Sequence, residues 1–287
     1  MATLSVVLAT FNEEKNLPDC LNSVKELADE IIIVDGSSTD KTVEIAKSFG
    51  AKVTVTDNPP IFHINKQKAL EQATKDWILQ LDADERVSEE LAREIKHVIS
   101  LNNQEIENYQ ESLPNKNLFL RHQALLEKRD GQIGTKSDEY TAFFIPRYNY
   151  FLGKYLQYGG VYPDGVIRLV KRGKAHFPCK DVHEQIAVEG KVGWLGHPLY
   201  HYDSPTFRRY LSRLNRYTIL IAKELKEKRT GRNPLVMVKY MILLPIGWFG
   251  LTYVRHKGFI DGWQGFVFSF FSSMRFPIAY MKYLKNN

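Results

Sequence analysis

The chain has 287 residues, 44% hydrophobic and 25% charged, which excludes a wholly disordered protein, a collagen-like repeat and a small disulfide-stapled scaffold and suits one large domain or a domain with an appendage. Its two distant cysteines, Cys20 and Cys179, build neither a disulfide framework nor a four-thiolate zinc site. The net charge of +6 is uneven: residues 205–287 hold 15 Lys and Arg against 3 Asp and Glu, or +12, while the first 204 residues carry −6, so the basic tail calls for a polyanion or an anionic membrane as partner.

In chain order, Leu4–Thr10 (LSVVLAT) is an apolar, β-branched run that predicts a buried strand, stopping at Asn12-Glu13-Glu14. The same stretch lacks the positive start and small-residue cleavage site of a secretory signal, which makes the cytoplasm the expected compartment. Leu17, Leu21 and Val24 follow with helical spacing. Glu30–Val34 (EIIIV) reads as a second strand ended by Asp35-Gly36-Ser37-Ser38-Thr39-Asp40, and Thr42–Phe49 as a helix closed by Gly50. Ala51–Thr56 is a third strand, Lys66–Thr74 a helix, and Trp77–Leu81 (WILQL) a fourth strand ending in Asp82-Ala83-Asp84-Glu85. Ser88 then caps an amphipathic helix with Glu89 and Glu90 in its first turn. Residues 102–140 are polar and weakly periodic, expected to be a variable insertion with a helical piece near Leu118–Leu126. Tyr140–Ile145, Val166–Val170 and Ile186–Val188 read as strands, and Phe207–Lys228 as a basic helix.

Strands alternating with helices predict an α/β catalytic domain over 1–204, built on an open, mostly parallel sheet. Ligands of such sheets sit outside the carboxyl ends of the strands. Three of those ends carry Asn12 and Glu13, Asp35 and Ser37, and Asp82 and Asp84, so carboxylates converge on one edge. Two aspartates two residues apart share a side if the backbone stays extended, which suits Mg²⁺ or Mn²⁺ taking phosphate oxygens as well. An isolated Asp-x-Asp would as readily solvate a strand end; here it follows WILQL and joins two other polar strand ends. Asp35-Gly-Ser-Ser-Thr-Asp also has turn composition; its functional reading is an acidic acceptor for a base or ribose donor. Arg168 sits mid-strand between Ile167 and Leu169 and points opposite to both, placing it to hold a pyrophosphate or an anionic acceptor. His197 and His201 are read as structural.

The motifs ATFNEEKNL, VDGSSTDKT and LDADE, in that order and spacing, resemble family-two glycosyltransferases of the GT-A fold. YPDGVIRLVKRGKAHF, VHEQIAVEG, LYHYD and KGFIDGWQGF resemble the lipopolysaccharide-core β-glycosyltransferase branch, and only 102–140 goes unmatched. The resemblance implies a Rossmann-like GT-A domain, inverting transfer from a nucleotide-sugar, foremost a UDP-sugar, and Mn²⁺ or Mg²⁺ as cofactor. Thr10, Phe11 and Glu13 would line the nucleobase pocket, with Asp35 accepting from a uracil-like base and Ser37 beside it. Asn65 and Lys66, or Lys68 one turn later, match the region that approaches ribose and diphosphate, although the family more often has an Arg-Asn pair there. Asp82 would contact the ribose, Ala83 would back the sugar pocket, and Asp84 would hold the metal that neutralises the leaving diphosphate. Glu184 would be the base that deprotonates the acceptor hydroxyl, with Asp181 second and Asp164 third, and His183 would complete the metal shell. A structural histidine and a surface acid are the alternatives at 183 and 184. The implied acceptor is a lipid-linked or cell-envelope saccharide. A polyprenyl-phosphate glycosyltransferase and a non-catalytic membrane-surface binding module are the competing functions.

In the tail, Met241–Val254 (MILLPIGWFGLTYV) is fourteen residues without a charge, short of the roughly 20 that a spanning helix needs, and Pro245, Gly247 and Gly250 are expected to break it. Phe259–Met281 adds Trp263, Phe266, Phe268, Phe270, Phe271 and Phe276, with basic residues around them. That mixture suits the headgroup boundary of an anionic bilayer, so 205–287 is expected to form interfacial helices, peripheral on the inner face of the cell membrane. A buried helical subdomain and a transmembrane hairpin are the alternatives, and the same aromatic surface equally suits a dimer interface. The apolar content, with no base-stacking sheet motif or recognition helix, speaks against nucleic acid.

Overall fold

Six of the seven residues of the first strand, β1 (Leu4–Thr10), are buried, as a central strand covered on both faces requires. The chain continues through α1 (Leu17–Val24), β2 (Glu30–Asp35), α2 (Thr42–Ser48), β3 (Lys52–Val55), α3 (His63–Glu71), β4 (Trp77–Leu81), β5 (Glu85–Arg86) and α4 (Glu89–Val98). Then come α5 (Asn103–Ser112), α6 (Lys116–Asp130), β6 (Tyr140–Ile145), β7 (Arg147–Phe151), β8 (Lys154–Leu156), β9 (Val166–Lys171), β10 (Ala175–His176), β11 (Ala187–Val188), β12 (Lys191–Trp194) and β13 (Leu199–Ser204). This computed structural model describes residues 2–180 and 185–285. Two units emerge, one of 1–147 with 163–201, the other of 148–162 with 202–287. Residues 148–162, expected within the first domain, thus group with the second.

In the first unit a seven-stranded sheet has the order β12-β6-β9-β4-β1-β2-β3. β1 pairs parallel with β2 and β4, and β2 parallel with β3. β12 pairs parallel with β6, and β9 alone runs antiparallel to its neighbours β4 and β6, so the sheet is mostly parallel as expected. Leu4, Leu8, Leu17, Leu21, Ile33, Leu79, Leu91 and Ile95 meet in the main core. Ser88 caps α4 by accepting from the Leu91 N–H. The 102–140 connection is more ordered than its polarity predicts. Asn102 and Glu105 form a reciprocal capping box on α5, and the Gln110 amide both donates to and accepts from the Trp194 backbone at 2.8 Å. Phe119 of α6 stacks on Trp194 at 4.6 Å.

The second unit holds the β7–β8 hairpin, α7 (Phe207–Glu227), and a continuous helix Pro234–Arg255 made of α8 (Pro234–Val238), a π-type stretch, α9 (Leu244–Phe249) and a second π-type stretch. After a 3₁₀ turn come α10 (Trp263–Ser273) and α11 (Arg275–Lys285). Pro245, Gly247 and Gly250 do not break the long helix, contrary to expectation; a wider π-type stretch, Lys239–Leu243, precedes Pro245 where its missing N–H and its ring would disturb an α-turn, and a second follows at Gly250–Arg255. With 22 residues, it is the one helix among those described that is long and apolar enough to cross a membrane, and little of it is buried. Asp261, itself buried, accepts from the Gln157 and Tyr158 N–H groups at 3.1 and 2.8 Å, with Lys154 Nζ at 3.5 Å. In α10 a Cβ on Gly265 would lie 1.9 Å from the Gly258 carbonyl oxygen. Gly265→Ala is therefore expected to destabilise the second unit by about 1–3 kcal/mol; an unchanged calorimetric transition would mean the turn does not approach α10 this closely.

Candidate active site

Because β4, β1 and β2 are parallel neighbours, their carboxyl ends lie side by side, with Thr10 in register with Asp35 and Leu8 with Leu81. Asp35 is fully buried. It accepts from Thr10 Oγ1 at 2.8 Å and from the Ser38 N–H and Oγ at 2.7 and 2.6 Å. A carboxylate has about four lone-pair sites, of which three are thus used within the protein. Phe11 exposes its ring at 44%, while Glu13 accepts from Asn16 Nδ2 and its N–H donates to Thr42 Oγ1, both at 2.8 Å. Ser37 has φ +62° and donates Oγ to the Thr56 carbonyl at 2.9 Å.

The α3 helix starts at His63, three residues before the expected Lys66, and brings two predicted residues inward. Asn65 Nδ2 donates to the Asp57 carbonyl at 2.9 Å, but its buried Oδ1 has no partner. Lys66 is buried, with Nζ 2.5 Å from Asp82 Oδ1 and over the Phe62 ring. Burial and then Arg168 depress its pKa against the pull of Asp82. Lys68 turns elsewhere, donating to Thr56 Oγ1 at 2.9 Å.

Arg168 reaches this edge as its strand alternation predicts, but its partners are acids. Nη2 donates to Asp82 Oδ2 at 2.6 Å and to Glu85 Oε1 at 2.7 Å, and Nη1 donates to Gln80. Glu85, fully buried, also accepts the Asp82 N–H at 2.9 Å and meets Arg147 Nη1 at 3.3 Å. Arg147 in turn bridges to Asp164 Oδ2 at 2.9 Å. Burial acts to raise the Asp82 pKa, yet Arg168 and Lys66 hold it well below the ordinary value of 3.8. At Glu30, likewise, hydrogen bonds led by Ser5 outweigh burial and hold the carboxyl at about 2. A depressed carboxyl stabilises the fold fully above its unfolded pKa and loses that contribution as pH falls through the folded value. The denaturation midpoint is thus expected to fall as the solution is acidified below the ordinary carboxylate range. Asp82→Asn is expected to flatten this limb, and an unchanged limb would remove Asp82 from it.

Asp84 leaves the cluster in another direction. Its Oδ1 is 3.6 Å from His201 Nε2, since β5 pairs antiparallel with β13 and sets His201 opposite Glu85. Both side chains keep some exposure, 18% and 14%, so a ligand can reach them. Ala83 between the two aspartates is buried. His201 was read as structural from sequence; Glu85 closes the LDADE motif and Gln80 lies in WILQL, but neither was given a role in the site, and Arg147 carried no sequence signal. Asp181, His183 and Glu184 lie outside the described residues.

The model of the family described as glycosyl transferase family 2 matches residues 5–157. The chain belongs to that family. It is an inverting glycosyltransferase of the α/β GT-A type. An uncharacterized glycosyltransferase of Rickettsia bellii is 30% identical over 277 residues, covering 96% of this chain and 83% of the relative. The lipopolysaccharide core biosynthesis glycosyltransferase LpsC of Rhizobium meliloti is 27% identical over 290 residues, covering 95% and 91%. Glucosyl-3-phosphoglycerate synthase of Mycobacterium tuberculosis, solved with Mn²⁺, UDP and glucosyl-3-phosphoglycerate, is 28% identical over 29% of this chain with a TM-score of 0.27, so the match spans about a third (34%) of that enzyme.

In this family-two glycosyltransferase no group of three or more metal-ligating side chains occurs among the described residues. Asp84 and His201 make a two-ligand donor set of one carboxylate and one imidazole. Such a set fits Mn²⁺ better than Mg²⁺, whose ligands are oxygens, and either ion would complete its shell with substrate phosphates and water. Asp82, occupied by two cationic side chains, is less available for that work.

Proposed function

We propose that the first unit transfers a sugar from a UDP-sugar to a hydroxyl of a lipid-linked or cell-envelope saccharide, with Asp84 and His201 holding Mn²⁺ or Mg²⁺. The juxtaposition of those two residues at the carboxyl end of β4, beside the charge-saturated Asp82, carries this conclusion. The bound cation would act as a Lewis acid that neutralises the leaving diphosphate. Phe11 offers the base an apolar face, and Asp35 keeps one acceptor site for a base N–H. The unpartnered Asn65 Oδ1 suits a ribose hydroxyl, whose arrival would remove the penalty of a buried orphan acceptor. Lys66 and Arg168 fix the Asp82 carboxylate before the donor arrives, so little reorganisation accompanies binding. Glu184 remains the proposed base, with Asp181 second, on the strength of the VHE motif. The envelope acceptor draws support from the name of LpsC. The basic tail and the exposed apolar helix support an anionic membrane at the cytoplasmic face as the place of work.

Thermal shift with UDP, GDP, CDP and ADP, each with and without Mn²⁺, tests the donor site. A ligand at 100 times its dissociation constant stabilises the native state by about 2.7 kcal/mol, so a Mn²⁺-dependent rise with UDP is the expected result. A preference for GDP would move the donor assignment, and no shift with any nucleotide would sink it.

A further inference from the structure

Arg275 opens α11 with its guanidinium carbon 3.9 Å from the Trp248 ring centroid and 4.8 Å from that of Phe276. Trp248 is held in turn: its Nε1 donates to Ser272 Oγ at 3.2 Å, and its ring meets Phe276 edge-on. No acidic side chain among the described residues pairs with Arg275. Burial pulls its pKa down from the ordinary value, and the neighbour acting the other way is the Tyr210 phenol. An arginine remains charged in such a setting. Its fork of N–H donors is thus fixed by two aromatic faces and matched to no acidic side chain among the described residues.

The surface around it is apolar and cationic. Along Pro234–Arg255, Leu235, Leu243, Ile246 and Val254 are 61–82% exposed, and Trp263 of α10 is 60% exposed. Residues 205–287 carry the excess of +12. Trp248 lies about 21 Å from the Pro234 end and about 10 Å from the Arg255 end at 1.5 Å per residue. Were the helix to cross a bilayer, that level would fall inside the hydrocarbon and strand Arg275 there without a counter-ion, a costly placement. The other half of the helix has charged company too. Tyr240 stacks on Tyr280 of α11 at 4.9 Å, and Lys282 of the same helix donates to Asn215 and Thr218. With the helix flat, its exposed face enters the acyl boundary while these cations stay at headgroup depth.

We propose that Arg275 is a phosphate-binding hook, which takes the headgroup phosphate of an anionic phospholipid between Trp248 and Phe276 and seats Pro234–Arg255 in the plane of one leaflet. The hook presupposes the membrane partner proposed above. Stacking fixes the guanidinium plane in advance, so less side-chain freedom is lost when the phosphate binds.

Sedimentation of the full chain with vesicles of phosphatidylcholine, alone or mixed with phosphatidylglycerol, tests it. Wild type is expected to bind the mixed vesicles and Arg275→Gln to bind them about fivefold more weakly, with Arg275→Lys between the two. Equal binding by Arg275→Gln and wild type overturns the hook while leaving the membrane partner in place. No binding by wild type to either vesicle overturns the membrane partner, and the hook with it. The seating has its own measurement, which does not depend on how Arg275→Gln folds. Lys228→Cys and Arg255→Cys, each in a Cys179→Ser background, are labelled with a membrane-impermeant maleimide added outside sealed mixed vesicles. Labelling of both supports the in-plane helix, and protection of either one overturns it.

Discussion

Asp84→Ala should lower metal-dependent sugar transfer by about 10³-fold, because a catalytic cation supplies several kcal/mol of charge stabilisation and each 1.36 kcal/mol is tenfold in rate. Asp84 is half-buried at a strand end, 3.6 Å from His201, and an unchanged melting transition in the variant would show that the loss is one of chemistry and not of folding. His201→Ala should follow in the same direction with a smaller loss, and extra Mn²⁺ should rescue it partly by mass action. The assay is nucleoside diphosphate release across a Mn²⁺ titration. Full activity in Asp84→Ala at low Mn²⁺ would remove the metal from this corner of the sheet. Full activity in His201→Ala with loss in Asp84→Ala would give the second ligand position to another residue.

Arg168→Leu should destabilise the protein by about 3–5 kcal/mol, the usual consequence of removing one partner from a buried charge network. Asp82 Oδ2, Glu85 Oε1 and the Gln80 carbonyl would each lose a donor. Glu85, fully buried, would keep only Arg147 and one backbone N–H among its present partners. Arg168→Lys should fall between, since an ammonium carries the charge without the planar fork. Chemical denaturation measures the loss, and the donor KM measured beside it separates two roles. A raised KM with unchanged stability would mean that Arg168 holds the diphosphate, the role its strand position suggested, rather than the carboxylates.

The carboxylate-lined edge of the sheet was legible because it depends on local pattern. Apolar β-branched runs ending in Asp35 and Asp82 are enough to place strand termini, and parallel pairing then brings those termini together. Strand alternation likewise turned Arg168 toward the right face, but no local rule reveals that Gln80 and Glu85 wait on the neighbouring strand and turn. His201 was hidden for a similar reason. It reaches Asp84 through a two-residue bridge between β5 and β13, more than a hundred positions apart, and LYHYDS has too few apolar residues to stand out as a strand. Within 102–140 the Asn102–Glu105 capping box was present in the letters. The polar face that follows masked it, because Ile106 is the one buried residue of α5. In the tail, Pro245 and two glycines argued for breaks, and only the backbone shows that π-type turns keep the helix whole.

The Asp261 carboxylate sets a timetable for biosynthesis. It accepts N–H groups from Gln157 and Tyr158, 104 and 103 residues earlier in the chain. A ribosome adding about 5–20 residues per second takes roughly 5–20 s to deliver that acceptor after the two donors have emerged. During this interval the β7–β8 hairpin is without its anchor, and its neighbouring tyrosines offer a sticky edge to other nascent chains or to a chaperone. A stop codon anywhere before residue 261 would make the delay permanent. Proteins shortened at their carboxyl terminus are therefore expected to be turned over by proteases rather than to persist as smaller soluble enzymes.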